Sequence, residues 1–122
     1  MALESKHPLP QSFKFAFDGL KTAIVKGRNF RIQLSAGFLA ILLGLYFNLN
    51  SAEWLDLTIV ISLVLILELI NTSLEAIVDL VQPNIHEKAK IAKDVAAATV
   101  LVASISSIIV AILIFLPKIM KF

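Results

Sequence analysis

Three long stretches of the chain, residues 32–52, 57–81 and 95–117, are apolar and contain only three charged residues between them. Each is at least as long as the ~20 residues that an α-helix needs to cross a bilayer. The whole chain is 58% hydrophobic with a mean hydropathy of +0.88, and soluble domains rarely reach such a composition. We therefore expect a single-domain, all-α membrane protein over residues 1–122, with transmembrane helices at these three positions.

A fourth segment, residues 12–29, has the pattern of an amphipathic helix. Its apolar side chains recur at intervals of four, three and four residues: Phe13, Phe17, Leu20 and Ile24. Basic side chains line the neighbouring face: Lys14, Lys21 and Arg28. An aromatic-rich face beside a basic one is typical of a helix that lies in the headgroup layer. The sequence thus predicts an N-terminal surface helix on the bilayer.

Acidic side chains appear at helical spacing in the second apolar stretch. Glu68, Glu75 and Asp79 fall within roughly 40° of one another on a helix, with Asn71 beside them. Carboxylates within a membrane are costly unless they face cations, hydrogen-bond donors or water. We refer to these four residues as the acidic stripe and expect a functional site there. The alternative is a polar helix face that is buried on assembly.

The distribution of lysine and arginine predicts the orientation. Six precede residue 32, three lie between residues 82 and 94, and two follow residue 117. The positive-inside rule then places the amino terminus and the Pro83 loop in the cytoplasm. Glu68 would lie deepest, where it can meet a lipid. Glu75 and Asp79 would lie shallower, where they can meet a soluble cation or a nucleotide.

The remaining chemistry leaves two classes open. Lys93 and Asp94 precede the third apolar stretch on the same side as the shallow acids. Lysine neutralises phosphate oxygens, and carboxylates hold Mg²⁺, which suits phosphoryl transfer to a membrane alcohol. The acidic stripe also suits a proton-linked carrier. Neither common phosphate-binding glycine loop is present, the chain has no cysteine, and nothing indicates nucleic acid.

The residues themselves resemble a known family. Glu68-Leu-Ile-Asn-Thr-Ser-Leu-Glu-Ala-Ile-Val-Asp79, then His86 and Ala92-Lys93-Asp94-Val-Ala-Ala, is similar to the motif of the prokaryotic diacylglycerol kinases, which include the undecaprenol kinases. The resemblance implies a homotrimer with active sites shared between neighbouring subunits. It also implies Mg²⁺ with ATP as co-substrate, a lipid alcohol as acceptor, and a cytoplasmic membrane location with the site facing the cytoplasm.

The resemblance also implies a role for each matching position. Glu68 matches the catalytic carboxylate, the base expected to act on the lipid hydroxyl, and Glu75 matches a metal-binding glutamate that also contacts ATP. Four further positions are expected to bind the nucleotide: Asp79, His86, Lys93 and Asp94. Three are expected near the lipid substrate: Asn71, Asn29 and Arg31.

Three positions depart from the family pattern. Gly27 stands where many members have a second metal-binding glutamate, Gln33 where many have histidine, and Ala98-Thr99 where a glycine or a smaller pair is common. We expect a diacylglycerol kinase that makes phosphatidic acid in phospholipid metabolism. The alternatives are an undecaprenol kinase in the recycling of cell-envelope lipid carriers, an inactive structural member of the family, and a small proton-linked carrier.

Overall fold

Four α-helices make up the structure, a computed structural model that describes residues 8–121. They are α1 (Leu9–Lys26), α2 (Arg28–Tyr46), α3 (Ser51–Val81) and α4 (Glu87–Met120). Among the described residues there is no strand, and α2, α3 and α4 are each long and apolar enough to cross a membrane. The predicted all-α class with three membrane spans is therefore confirmed. Residues 1–7 and 122 of the predicted domain lie outside the described part.

The first helix differs from its predicted limits. It begins three residues before residue 12 and ends at Lys26, so Asn29 belongs to the first turn of α2. The break falls at Gly27, whose backbone is extended and whose N–H donates to the Ala23 carbonyl at 2.8 Å. A Cβ at position 27 would lie 2.5 Å from that carbonyl oxygen. Only glycine fits this junction without a shift of the backbone.

The turn between α2 and α3 is defined by two capping arrangements. Asn48 has a left-handed backbone with φ of 52°. Its N–H donates to Leu45 and the N–H of Leu49 donates to Gly44, the pattern of a Schellman motif. Asn50 and Glu53 then form a capping box at the start of α3. Local hydrogen bonds thus fix both helix ends at this turn.

Glycines on one face of α2 allow α3 to approach closely, as their seven-residue spacing predicts. Gly37 and Gly44 are both buried. A Cβ on Gly44 would lie 2.7 Å from the Trp54 ring, and one on Gly37 would lie 3.1 Å from Ile61. Nearby, Leu49, Leu57, Ile114 and Phe115 form the buried core.

An ion pair joins α3 to the end of α4 on the side away from the acidic stripe. Lys118 Nζ lies 3.0 Å from Glu53 Oε2, and both side chains are mostly buried. Lys118 is one of the two cations whose position opposes the predicted orientation. Because its charge is neutralised by Glu53, that opposition is weaker than a count of residues indicates.

Candidate functional site

The acidic stripe runs from the buried interior of the helix bundle to its exposed end. Glu68 is 7% exposed and Asn71 is 8% exposed, on the same face of α3 as the buried Leu57 and Val64. Glu75, one turn further on, is half-buried, and Asp79 is exposed. The exposure of the stripe therefore increases in the direction that the charge pattern predicts.

The buried part of the stripe has unused hydrogen-bonding capacity. Among the described residues, no side-chain hydrogen bond or ion pair reaches the Glu68 carboxylate, and Asn71 Oδ1 is buried without a partner. Asn71 Nδ2 makes only a long hydrogen bond, 3.4 Å, to Glu75 Oε1. An unpaired buried polar group costs about 1–3 kcal/mol. These groups are therefore suited to receive donors from a substrate, water or a second subunit.

The exposed end of the stripe is linked to α4. Lys93 Nζ donates to Asp79 Oδ1 at 2.7 Å, and Lys90 Nζ donates to Asp94 at 2.6 Å. All four side chains are substantially exposed, so each pair contributes only about 0–1 kcal/mol to stability. Sequence reasoning missed Lys90, although its spacing of four residues from Asp94 is a recognisable helical ion-pair signal. Pairs this weak can exchange partners when an anion binds.

His86 caps the first turn of α4. Its Nδ1 accepts a hydrogen bond from the Lys88 backbone N–H at 3.1 Å. An imidazole that accepts at Nδ1 while neutral has its proton on Nε2, and that N–H remains available to a ligand. The exposed side chain thus combines a structural role with a free donor.

A cleft of about 430 Å³ joins most of the predicted nucleotide positions. The end of α3, the loop after it and the start of α4 form its walls. Asp79, His86, Lys93 and Asp94 all line it, whereas Glu75 and Asn71 lie one and two turns deeper along α3. The structure therefore brings four of the five predicted nucleotide residues to one concave surface. Gln82 and Asn84 also line the cleft, and the sequence gave no signal for either beyond their loop position.

Arg31 and Asn29 are placed differently from the expected lipid contacts. Arg31 Nη1 donates to the carbonyls of Ile24 and Val25, at 2.7 and 2.9 Å. The last carbonyls of a helix lack partners within the helix, so Arg31 caps the carboxyl end of α1. Asn29 is exposed in the first turn of α2. In residues 8–121 no hydrogen bond joins either side chain to the acidic stripe.

An apolar crevice of about 360 Å³ lies between α2, α3 and α4. Val64, one turn before Glu68, is part of its wall, together with Gln33 and Ser104. Gln33 Oε1 is buried there without a hydrogen-bond partner. A hydrocarbon chain in this crevice would have its polar end near Glu68. The sequence indicated Gln33 only as a departure from the family pattern.

The oxygen atoms of the stripe fit a magnesium ion that is shared with substrate. Within the described residues no group of three or more histidine, cysteine or acidic side chains could enclose a metal. Mg²⁺ is commonly held by one or two carboxylates, with phosphate oxygens and water completing its shell. Glu75 provides a half-buried carboxylate and Asn71 an unpartnered amide oxygen. A second carboxylate at position 27 would not fit the present backbone.

Comparison with known proteins agrees with this arrangement. The family model for prokaryotic diacylglycerol kinase matches residues 14–115. A diacylglycerol kinase of Synechocystis sp. is 42% identical over 111 residues, which are 90% of this chain but 63% of that protein, so the chain spans less than two thirds of that relative. An undecaprenol kinase of Bacillus subtilis is 37% identical over 108 residues, 88% of each chain. A diacylglycerol kinase of Escherichia coli is 30% identical over 95 residues, 78% of each chain.

Proposed function

Because this chain belongs to the prokaryotic diacylglycerol kinase family, we propose that it transfers the γ-phosphate of ATP to the hydroxyl of a membrane lipid. The observation that supports this most directly is the Glu68 carboxylate. It is buried, has no hydrogen-bond partner in the described chain, and lies one turn from an apolar crevice. A base in this position can reach a lipid alcohol and stays away from bulk water.

In the proposed reaction Glu68 accepts the proton of the lipid hydroxyl. The lipid oxygen forms a bond to the γ-phosphorus while the bond from that phosphorus to the bridging oxygen of ATP breaks, and ADP leaves. Transition states of this kind need positioning and charge neutralisation more than covalent help from the protein. General-base assistance typically contributes 10²–10⁴-fold in rate. We assign the largest chemical role of a protein side chain to Glu68.

The cleft at the exposed end would hold the nucleotide. Lys93 would exchange the Asp79 carboxylate for phosphate oxygens, since the pair is exposed and weak. His86 would donate from Nε2, and Asp94 and Asp79 would accept from the polar groups of the nucleotide. Mg²⁺, held by Glu75 and the Asn71 amide oxygen, would neutralise phosphate charge. The phosphates would then lie between the cleft and Glu68.

We also propose that the enzyme is a homotrimer whose sites include residues of a neighbouring subunit. The unpartnered polar atoms of Glu68 and Asn71 support this. Mixing two inactive variants tests it: subunits with Glu68→Gln are combined with subunits that have Lys93→Ala. Recovery of activity on mixing would support shared sites. No recovery, in trimers shown to contain both variants, would place each site in one subunit.

The charge distribution supports a cytoplasmic orientation of the cleft, in the inner membrane of a prokaryote. Labelling engineered cysteines tests this, because the natural chain has none. A cysteine at position 84 should react with an impermeant maleimide only in opened cells. A cysteine at position 51, in the opposite turn, should react in intact spheroplasts. The reverse pattern would contradict the orientation.

The first acceptor to test is diacylglycerol, which would give phosphatidic acid in phospholipid metabolism. The names of the Synechocystis and Escherichia coli relatives support it. Undecaprenol is the second candidate, because the Bacillus subtilis relative matches over 88% of its length. The two would place the enzyme in phospholipid metabolism or in the recycling of cell-envelope lipid carriers.

Phosphate transfer from labelled MgATP separates these possibilities. Purified protein is incubated in mixed micelles with each lipid in parallel, and Glu75→Ala serves as the blank. A labelled product from one lipid, absent from the blank, identifies the acceptor. No product from either lipid with folded protein would contradict the kinase proposal and favour an inactive family member. Solute flux in sealed vesicles without nucleotide would instead favour a carrier.

A further inference from the structure

The free side of α1 combines two lysines with an exposed aromatic face. Lys14 and Lys21 are seven residues apart, so they point to the same side of the helix. We refer to these two residues as the cationic flank. On the neighbouring face Phe13 is 58% exposed and Phe17 is 66% exposed.

No part of the described chain covers the cationic flank. The helix packs on α2 through the buried Ala23, which lies roughly 160–180° around the helix from Lys14 and Lys21. The three ion pairs within residues 8–121 involve Lys90, Lys93 and Lys118, so neither flank lysine has an acidic partner there. The one acidic residue of α1 is Asp18. The flank is therefore a positively charged surface without a counter-charge from the chain.

The connection to α2 sets the depth of this surface. A single residue, Gly27, separates α1 from α2, which is a candidate membrane span. With its aromatic face towards the acyl chains, α1 places Lys14 and Lys21 at the level of the lipid headgroups. A zwitterionic headgroup balances its own phosphate with a cation, whereas an anionic headgroup does not. Charge complementarity therefore favours anionic phospholipid.

We propose that the cationic flank binds the headgroups of anionic phospholipids, and that this binding raises the activity of the enzyme. The part that concerns binding stands on α1 alone. The part that concerns activity rests on the proposed lipid kinase function.

Titration with phosphatidylglycerol tests the binding without reference to activity. The full chain is purified in a non-ionic detergent with phosphatidylcholine, and the thermal unfolding midpoint is followed as phosphatidylglycerol is added. Native mass spectrometry counts the lipid molecules that are retained. Each lysine near an anionic surface contributes roughly a fivefold change in apparent affinity. Lys14→Gln with Lys21→Gln should therefore raise the titration midpoint by roughly 30-fold.

Lys26→Gln is the matched control. It removes the same charge from the same helix, but Lys26 lies roughly 150° from the centre of the aromatic face, so its midpoint should stay near that of the unmodified protein. Raising the salt from 0.1 to 1 M shortens the Debye length from ~10 to ~3 Å and should weaken binding to the unmodified protein most. Equal unfolding midpoints without phosphatidylglycerol will show that all variants fold.

Two results would overturn the proposal. One is a titration midpoint that is the same in the double variant and the unmodified protein. The other is an equal loss in Lys26→Gln, which would indicate a general effect of net charge. Failure of the kinase proposal is separate, because it would leave phosphatidylglycerol binding intact while no lipid is phosphorylated. Lipid phosphorylation that does not depend on the anionic fraction would contradict only the activating role.

Discussion

Lys93 Nζ lies 2.7 Å from Asp79 Oδ1 and so joins the first turns of α4 to the last turns of α3. The two residues are fourteen positions apart in the chain and on opposite sides of the Pro83 loop. Both line the cleft assigned to the nucleotide. The pair fixes the position of the lysine while leaving it exposed enough to exchange the carboxylate for a phosphate.

We expect Lys93→Gln to raise the KM for MgATP by roughly 10–100-fold, since a hydrogen bond to a charged group contributes about 1.5–3 kcal/mol. The KM for the lipid should change little. Steady-state kinetics with each substrate varied in turn measure both values. Lys88→Gln is the control: it is also an exposed cation in the first turn of α4, but it does not line the cleft. Equal effects of the two substitutions would remove Lys93 from the nucleotide site.

Glu68→Gln should separate activity from stability. Glutamine keeps the shape of the side chain but cannot accept the hydroxyl proton, so kcat should fall by roughly 10²–10⁴-fold. Stability should stay the same or rise, because glutamine avoids the cost of burying a carboxylate that has no partner. Thermal unfolding in detergent and kcat at saturating substrates provide the two measurements. An unchanged kcat would show that another group takes the proton.

Gly27→Glu is the substitution that would restore the family pattern, and the structure predicts that it is harmful. Its Cβ would lie 2.5 Å from the Ala23 carbonyl oxygen, and crowding of this kind typically costs about 1–3 kcal/mol. Gly27→Ala should lower the unfolding midpoint to a similar degree, which isolates the effect of the Cβ. Gly19→Ala should instead raise it, because nothing lies within 4 Å of that site and alanine is favoured over glycine within helices by about 1 kcal/mol. A higher midpoint in both position-27 variants would contradict the packing argument.

Arg31→Gln should loosen the carboxyl end of α1. The arginine caps the carbonyls of Ile24 and Val25, and no other side chain in residues 8–121 is seen to replace it. Hydrogen exchange of the amides in residues 23–27 should therefore accelerate, and Arg31→Lys should restore only part of the protection because it lacks the planar guanidinium. If Arg31 instead binds the lipid directly, the substitution will raise the KM for the lipid while exchange stays unchanged.

Much of the fold follows from the sequence because it depends on local spacing. A charge-free run of membrane length must satisfy its own backbone hydrogen bonds, so it forms a helix whatever its neighbours are. The three spans and the helical character of the acidic stripe follow from that rule. Gly37 and Gly44 are predicted in the same way, because residues seven apart share a face of a helix. The family motif adds the candidate roles of the site residues, which remain predictions.

The tertiary structure decided those features that depend on residues distant in the chain. The contact of Arg31 with the end of α1, the pairing of Lys118 with Glu53 and the pairing of Lys93 with Asp79 each need a particular path of the backbone. The same is true of the close approach that requires glycine at position 27, which in the sequence is visible only as a missing glutamate. The buried, unpartnered atoms of Asn71 and Gln33 also emerge only after packing. Periodicity fixes which face of a helix is polar, but what that face meets is set by three-dimensional distance.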